Sequence, residues 1–230
     1  GSKGQLVGTR RWAFTDTVAR YVDTRYWRDL FGNVKEQREY NNYGVANAWA
    51  TAAQRATHYE YDETHNSFLK RQWIEALTGV KPPQQETKYY YYGVNGDAAG
   101  AGLPGQLQRQ TDANSAETRY TYDAFGRPLK QWQPYDSEAA PTVEYEYLDN
   151  YAGPTTAVRQ REQELPGNPD AERQTLTFYD GLGRVAQTKV ESQDLQEMVI
   201  TSYTYDELGR VRYAYVPYKE NSAANFNAYR

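Results

Sequence analysis

YTYDAFGR, from Tyr120 to Arg127, returns 83 residues later as YTYDELGR, Tyr203 to Arg210, and both copies reach a Pro-Tyr pair at the same distance, Pro134-Tyr135 and Pro217-Tyr218. An internal repeat means one supersecondary unit that cannot bury its apolar face alone and stacks on its neighbours. Tyr203 and Tyr205 alternate with Thr204, as Tyr120 and Tyr122 do with Thr121, which places each pair of rings on one face of a strand. Asp206 to Gly209, like Asp123 to Gly126, then reads as a hairpin turn with a bulge. Its aspartate bonds the local backbone, and its glycine takes a positive φ before the motif arginine, Arg210 or Arg127. Beyond Arg210, Val211, Tyr213 and Tyr215 alternate with Arg212 and Ala214 until Pro217, so the return strand is expected to keep one apolar face. The unit is an antiparallel hairpin.

Weaker copies lie before and between. LTFYDGLGR, Leu176 to Arg184, keeps Tyr179, Asp180, Gly183 and Arg184 but sets Phe178 beside Tyr179. YEYDETHN, Tyr59 to Asn66, keeps Tyr59, Tyr61 and Asp62 and has His65 and Asn66 where glycine and arginine would stand. RYWRDLFGN, Arg25 to Asn33, keeps Asp29 and Gly32, and VEYEYLDNY, Val143 to Tyr151, keeps alternating tyrosines without the turn. The intervals from Asp29 through Asp62, Asp123 and Asp180 to Asp206 are 33, 61, 57 and 26 residues, so each of the longer two reads as two units, one decayed. The fold expected is all-β: stacked antiparallel hairpins in one curved sheet, with equivalent rings aligned into tyrosine ladders.

Leu, Ile, Val and Phe make up only roughly a sixth of the chain, a proportion typical of disorder. The 23 tyrosines and five tryptophans reverse that reading, and a net charge of −4 in 230 residues opposes folding little. Tyrosine is expected to be the main core residue, in a thin sheet whose wet surfaces satisfy the hydroxyls. The balance of 26 basic and 30 acidic residues, without a basic cluster, argues against nucleic acid as a partner. No apolar run approaches the length of a spanning helix. Gly1-Ser2 reads as a scar of tag removal, and the absence of cysteine excludes disulfides and thiolate chemistry.

Ala46 to Ala56, ANAWATAAQRA, has the best helical propensity of the chain and is expected to form a short helix inserted between units. Lys81-Pro82-Pro83 and Leu165 to Asp170 are breaker-rich turns, and Gly93 to Gly105 is a small-residue loop. The organisation expected is a single domain, or a slice of a larger one, over 1–230, with degenerate repeats and the helical insertion in 1–58 and clearer repeats in 59–230.

Gly100 to Gly105 matches GxGxxG, but a dinucleotide site needs a helix opening at its last glycines, whereas Gln106 to Tyr122 reads as strand, turn and strand. Asp123, Asp180 and Asp206 recur because the turn requires them, and a residue repeated in every unit is a poor candidate for a unique acid or base. His58 and His65 lack a partner at metal-ligand spacing. No catalytic, cofactor or metal residue is therefore assigned. Exposed Trp12, Trp27, Trp49, Trp73 or Trp132 could stack on sugar rings, which makes an adhesion or carbohydrate-binding module the alternative function.

At YTYDxxGR and FYDGLGR the chain resembles the RHS or YD-repeat family, over most of its length and most closely from Tyr120 to Tyr218. The FYDGLGR variant and the Pro-Tyr ending resemble the RHS segments of the B-type components of bacterial toxin complexes and of related large bacterial RHS proteins. The resemblance implies tyrosine-rich hairpins spiralling into a secreted shell that encloses a toxic C-terminal polypeptide, with the rest of that shell and the polypeptide as partners. Adhesion to glycans or a cell-surface receptor is the family's other implication. The family's self-cleaving aspartyl-protease-like element has no match here, and roughly seven units are too few for a closed shell. The resemblance thus implies a non-enzymatic piece of wall.

Overall fold

The computed structural model describes residues 4–77, 85–96, 102–148, 157–163, 172–192 and 197–221. Lys81-Pro82-Pro83, Leu165 to Asp170, Asn150-Tyr151, Gly100-Ala101 and Gly1-Ser2 lie outside them. The described residues carry 17 strands and no helix, and every strand pairing is antiparallel. The chain divides into two compact units, Gly1–Thr118 and Arg119–Arg230.

In the first unit, β1 (Gly8–Thr15) pairs with β2 (Ala19–Arg28), and β2 pairs with β3 (Val34–Tyr40). The two-residue β4 (Gly44–Val45) pairs with the start of β2. β3 continues to β5 (Ala53–Tyr61), then β6 (Leu69–Ala76), β7 (Gln85–Tyr91) and β8 (Leu107–Thr111). Period-2 alternation sorts the side chains. Tyr59 shares a face with its partner Gln72, while on the other face Arg71 bridges Glu60 at 2.7 Å and Glu86 at 3.1 Å. Such cross-strand pairs, rather than a thick apolar layer, hold the strands side by side.

The second unit runs from β9 (Glu117–Tyr122), most of which it contains, through β10 (Pro128–Trp132), β11 (Val143–Leu148) and β12 (Ala157–Gln163). It continues with β13 (Glu172–Tyr179), β14 (Val185–Glu191) and β15 (Glu197–Tyr205). β16 (Val211–Ala214) and β17 (Tyr218–Asn221) then lie in line along β15. One face repeats the charge pattern, with Arg159 on Glu146 at 2.6 Å and Arg161 reaching both Glu144 and Glu146. The fully buried side chains include Leu176, Phe178, Met198 and Ile200, with Ala157 and Leu148 packed against the first two. The motif tyrosines are only half-buried, so the tightest packing is aliphatic and Phe178-centred, not the tyrosine core expected from composition. A phenol in a single sheet keeps its hydroxyl near acceptors or water, which limits how deeply its ring is buried.

Two further expectations are corrected. Ala46–Ala56 is not helical: it forms a turn, a bridge and the start of β5, because partners distant in sequence claim its backbone. Asp23, fully buried, accepts the Ala50 N–H at 2.7 Å and a bidentate pair from Arg10, whose guanidinium also donates to the carbonyls of Ala46 and Ala48. The Trp49 ring lies 4.6 Å from that guanidinium, and a Cβ at Gly44 would collide with both charged groups. The return strand also breaks its alternation: Thr204 faces Tyr213 but Tyr205 faces Val211, so Arg212 is an extra residue and Val211 and Tyr213 point to opposite faces. The same register shift follows the turns after Arg28, Tyr61, Tyr91, Tyr122 and Tyr179.

Candidate functional site

The recurrent site is built at the turn. Asp123 Oδ1 accepts the N–H of Phe125 at 2.9 Å and of Arg127 at 2.8 Å, and its Oδ2 accepts Arg127 Nε at 2.6 Å. Asp180 makes the same three bonds with Leu182 and Arg184, and Asp206 with Leu208 and Arg210. In each turn the backbone closes twice: aspartate N–H to arginine carbonyl, and glycine N–H to aspartate carbonyl. Gly126, Gly183 and Gly209 stand at φ of +82°, +76° and +78°. A side chain at that φ is strained, which is why the spacing from Asp to Gly does not drift.

Electrostatics follow from the same bonds. Burial works against the charged form of Asp123, but the Arg127 N–H and guanidinium, with the Phe125 N–H, outweigh it and hold the carboxyl below its ordinary range. Asp180 is lowered first by the Arg184 guanidinium, and Asp206 first by the Arg210 N–H. Asp62 is lowered furthest: burial opposes ionisation, and the N–H groups of Phe68, His65 and Ser67 overcome it. Carboxylates filled in this way are poor proton carriers.

Degenerate copies keep the device with other residues. Asp29 holds Phe31 and Asn33, whose side-chain amide takes the place of the guanidinium at 2.9 Å. Around Asp62, Asn66 supplies the positive φ. Asp112, with Ser115 at φ +64°, and Asp16, paired with Arg20, repeat it at turns where motif reading saw nothing. The signal there was a bare aspartate bounding a strand, without tyrosine or glycine. Tyr92 and Gln106 close a further hairpin, filling the long interval after Asp62.

A second layer joins one hairpin to the next. The tyrosine of a following strand seats its ring over the closing arginine: Tyr147 lies 4.0 Å from the Arg127 guanidinium, and Tyr205 lies 4.3 Å from that of Arg184. Each hydroxyl then donates to the carbonyl of the residue after the arginine, Tyr147 to Pro128 at 2.9 Å and Tyr205 to Val185 at 2.7 Å. Tyr61 donates likewise to Val34, behind Asn33, at 3.2 Å. Tyr91 packs its ring 5.2 Å from Phe68, the closing residue of the Asp62 turn. Burial raises the phenol pKa of Tyr61, Tyr91 and Tyr147, which keeps these hydroxyls protonated donors. Tyr59 and Tyr120 are raised for the same reason; they and Tyr122, Tyr179 and Tyr203 line the strands leading into the turns.

The tryptophans are mostly engaged. Trp27 stacks with Arg38 at 4.5 Å, Trp49 with Arg10, and Trp73 with His58 and Arg71, while Trp132 is nearly buried beneath Arg119. Trp12 is exposed. His58 meets Glu75 and His65 meets Asp62. Among the described residues no three His, Asp or Glu side chains gather as metal ligands. Beyond Gly105 the chain enters β8, so no helix opens behind the glycine run.

Residues 105–131 match the family model of the RHS repeat, and residues 149–230 match that of a domain of unknown function, DUF6443. The solved structure titled TcdB2-TccC3-Cdc42 is similar over 96% of this chain, at 15% identity and a TM-score of 0.53. The chain spans 11% of the length of the chain it matches there, and the likeness is one of fold. None of the curated proteins searched matches.

Proposed function

We propose that this RHS/YD-repeat chain is a non-catalytic wall segment of a larger secreted bacterial protein whose shell encloses a toxic C-terminal polypeptide. The observation that carries the reading is the repeated joint. A tyrosine of a following strand packs on Arg127, on Arg184 and on Phe68, and another donates to the carbonyl behind Asn33, so the same joint recurs from hairpin to hairpin. The turn carboxylates are consumed by that architecture, which supports a structural role over an acid–base one. The fold likeness to the TcdB2-TccC3-Cdc42 structure, of whose matching chain this one spans 11%, supports a place within a longer wall of the same fold. The glycan-binding reading rests on open tryptophan rings, and four of the five are occupied by arginine.

Limited proteolysis of the full-length parent protein tests enclosure. The expected result is a C-terminal polypeptide that resists protease in the intact protein and is digested once the wall is loosened by Asp123→Ala, Asp180→Ala and Asp206→Ala together. Equal digestion in both would contradict it.

A further inference from the structure

In the first unit a groove of about 490 Å³ lies over β6 and β7, bounded by the turn that begins at Asp112 behind β8. Sites for small ligands commonly span ~300–1,000 Å³. Register sets the groove's floor. Ile74 faces Thr57 on one side and Gln85 on the other, and Gln72 faces Thr87, so these five side chains share one face of the sheet. The opposite face of the same strands carries the Arg71 bridges to Glu60 and Glu86.

The two faces use their polar groups differently. On the charged face arginine and glutamate satisfy one another, whereas the groove's Thr57, Gln72, Gln85, Thr87 and Asn114 make no side-chain hydrogen bond to any described residue. The carboxylates at its margin are already engaged. Asp112 accepts the N–H groups of Asn114 and Ala116 at 2.8 Å each, and Glu86 meets Arg71 at 3.1 Å and Lys88 at 3.4 Å. Trp73 also reaches the groove, but its ring is stacked 5.0 Å from His58 and 4.6 Å from the Arg71 guanidinium. Finally, β8 leaves β7 at the pair Lys88–Thr111, and among the described residues no strand pairs with Gln85 to Thr87 on that side.

We infer that this groove binds an extended, uncharged polypeptide segment, which lies along Gln85 to Thr87 and is held by the amides of Gln72, Gln85 and Asn114. A side-chain amide sets donors beside an acceptor, the complement of a peptide unit. The unpaired main chain of β7 adds the ladder bonds of strand addition, and alternate side chains of the segment rest on Ile74 and the threonine methyls. A charged segment is disfavoured, because the lining has no free ion to pair with it. A sugar lacks both the main-chain ladder and, with Trp73 engaged, a free ring to stack on. The inference goes beyond the wall-segment reading and concerns one face of this chain, so either can fail while the other stands.

The probe is a fluorescein-labelled, uncharged decapeptide of alternating serine and valine, followed by fluorescence anisotropy. Saturable binding to the 230-residue protein is expected, nearly independent of salt, with slowed hydrogen exchange along Gln85 to Thr87. Gln72→Ala and Gln85→Ala should each weaken it about fivefold. The same decapeptide methylated at every peptide nitrogen should fail to bind, a comparison that leaves the protein untouched. Absence of saturable binding, binding indifferent to both glutamine changes, or equal binding of the methylated peptide overturns the inference. Displacement of the peptide by maltohexaose would assign the groove to sugars and overturn it equally.

Discussion

Gly126, Gly183 and Gly209 hold the one backbone conformation in each turn that a side chain resists. Gly126→Val and Gly209→Val should each destabilise by more than ~1 kcal/mol, read as a lowered denaturation midpoint; unchanged melting would deny the turn geometry. The turn aspartates carry a pH signature. Their folded pKa values are depressed, so their stabilisation is complete above the unfolded carboxyl value of about 3.9 and is lost as pH falls through the lower folded value. Melting temperature should therefore drop steeply in acid, and replacing Asp123, Asp180 and Asp206 by Asn should flatten that slope. A variant as acid-sensitive as the parent sequence would contradict the assignment. These turns were legible because everything they need lies within five consecutive residues. Asn33, Asn66 and Ser115 were not, since each does the work of arginine or glycine through a different atom or an uncommon φ.

Among elements, the segment from Ala46 to Ala56 shows what local propensity misses. Alanines favour a helix, but the Arg10 guanidinium and Asp23 carboxylate, 27 to 38 residues away in sequence, bind its carbonyls and the Ala50 N–H and pull it open. Asp23→Ala should cost about 3 kcal/mol or more, because it strands a partly buried Arg10 and the Ala50 N–H together. Hydrogen exchange at Ala50 should accelerate in that variant. Exchange as slow as before would mean that some other contact holds the loop. Strand identity and a bulge at the turn could be read from the motif, whereas the break that the bulge puts into the alternation of the return strand could not. That break leaves composition unchanged and shows only when opposing residues are matched, as Thr204 with Tyr213 and Tyr205 with Val211.

For the molecule, the consequence is that hairpins are joined by a tyrosine that belongs to the next repeat. Sequence pointed to the rings and to the Asp–Arg turn separately. Their meeting was hidden because Arg127 and Tyr147, or Arg184 and Tyr205, are about 20 residues apart and become neighbours only once strand order is known. The expected ladder of tyrosine on tyrosine is replaced at these joints by tyrosine on arginine, with the hydroxyl anchored to backbone. The direct test is a double-mutant cycle on Arg184→Ala and Tyr205→Ala, followed by equilibrium denaturation. The joint predicts a coupling of about 0.5–1 kcal/mol in favour of the pair. Strictly additive losses would show that consecutive hairpins are not held together by this contact.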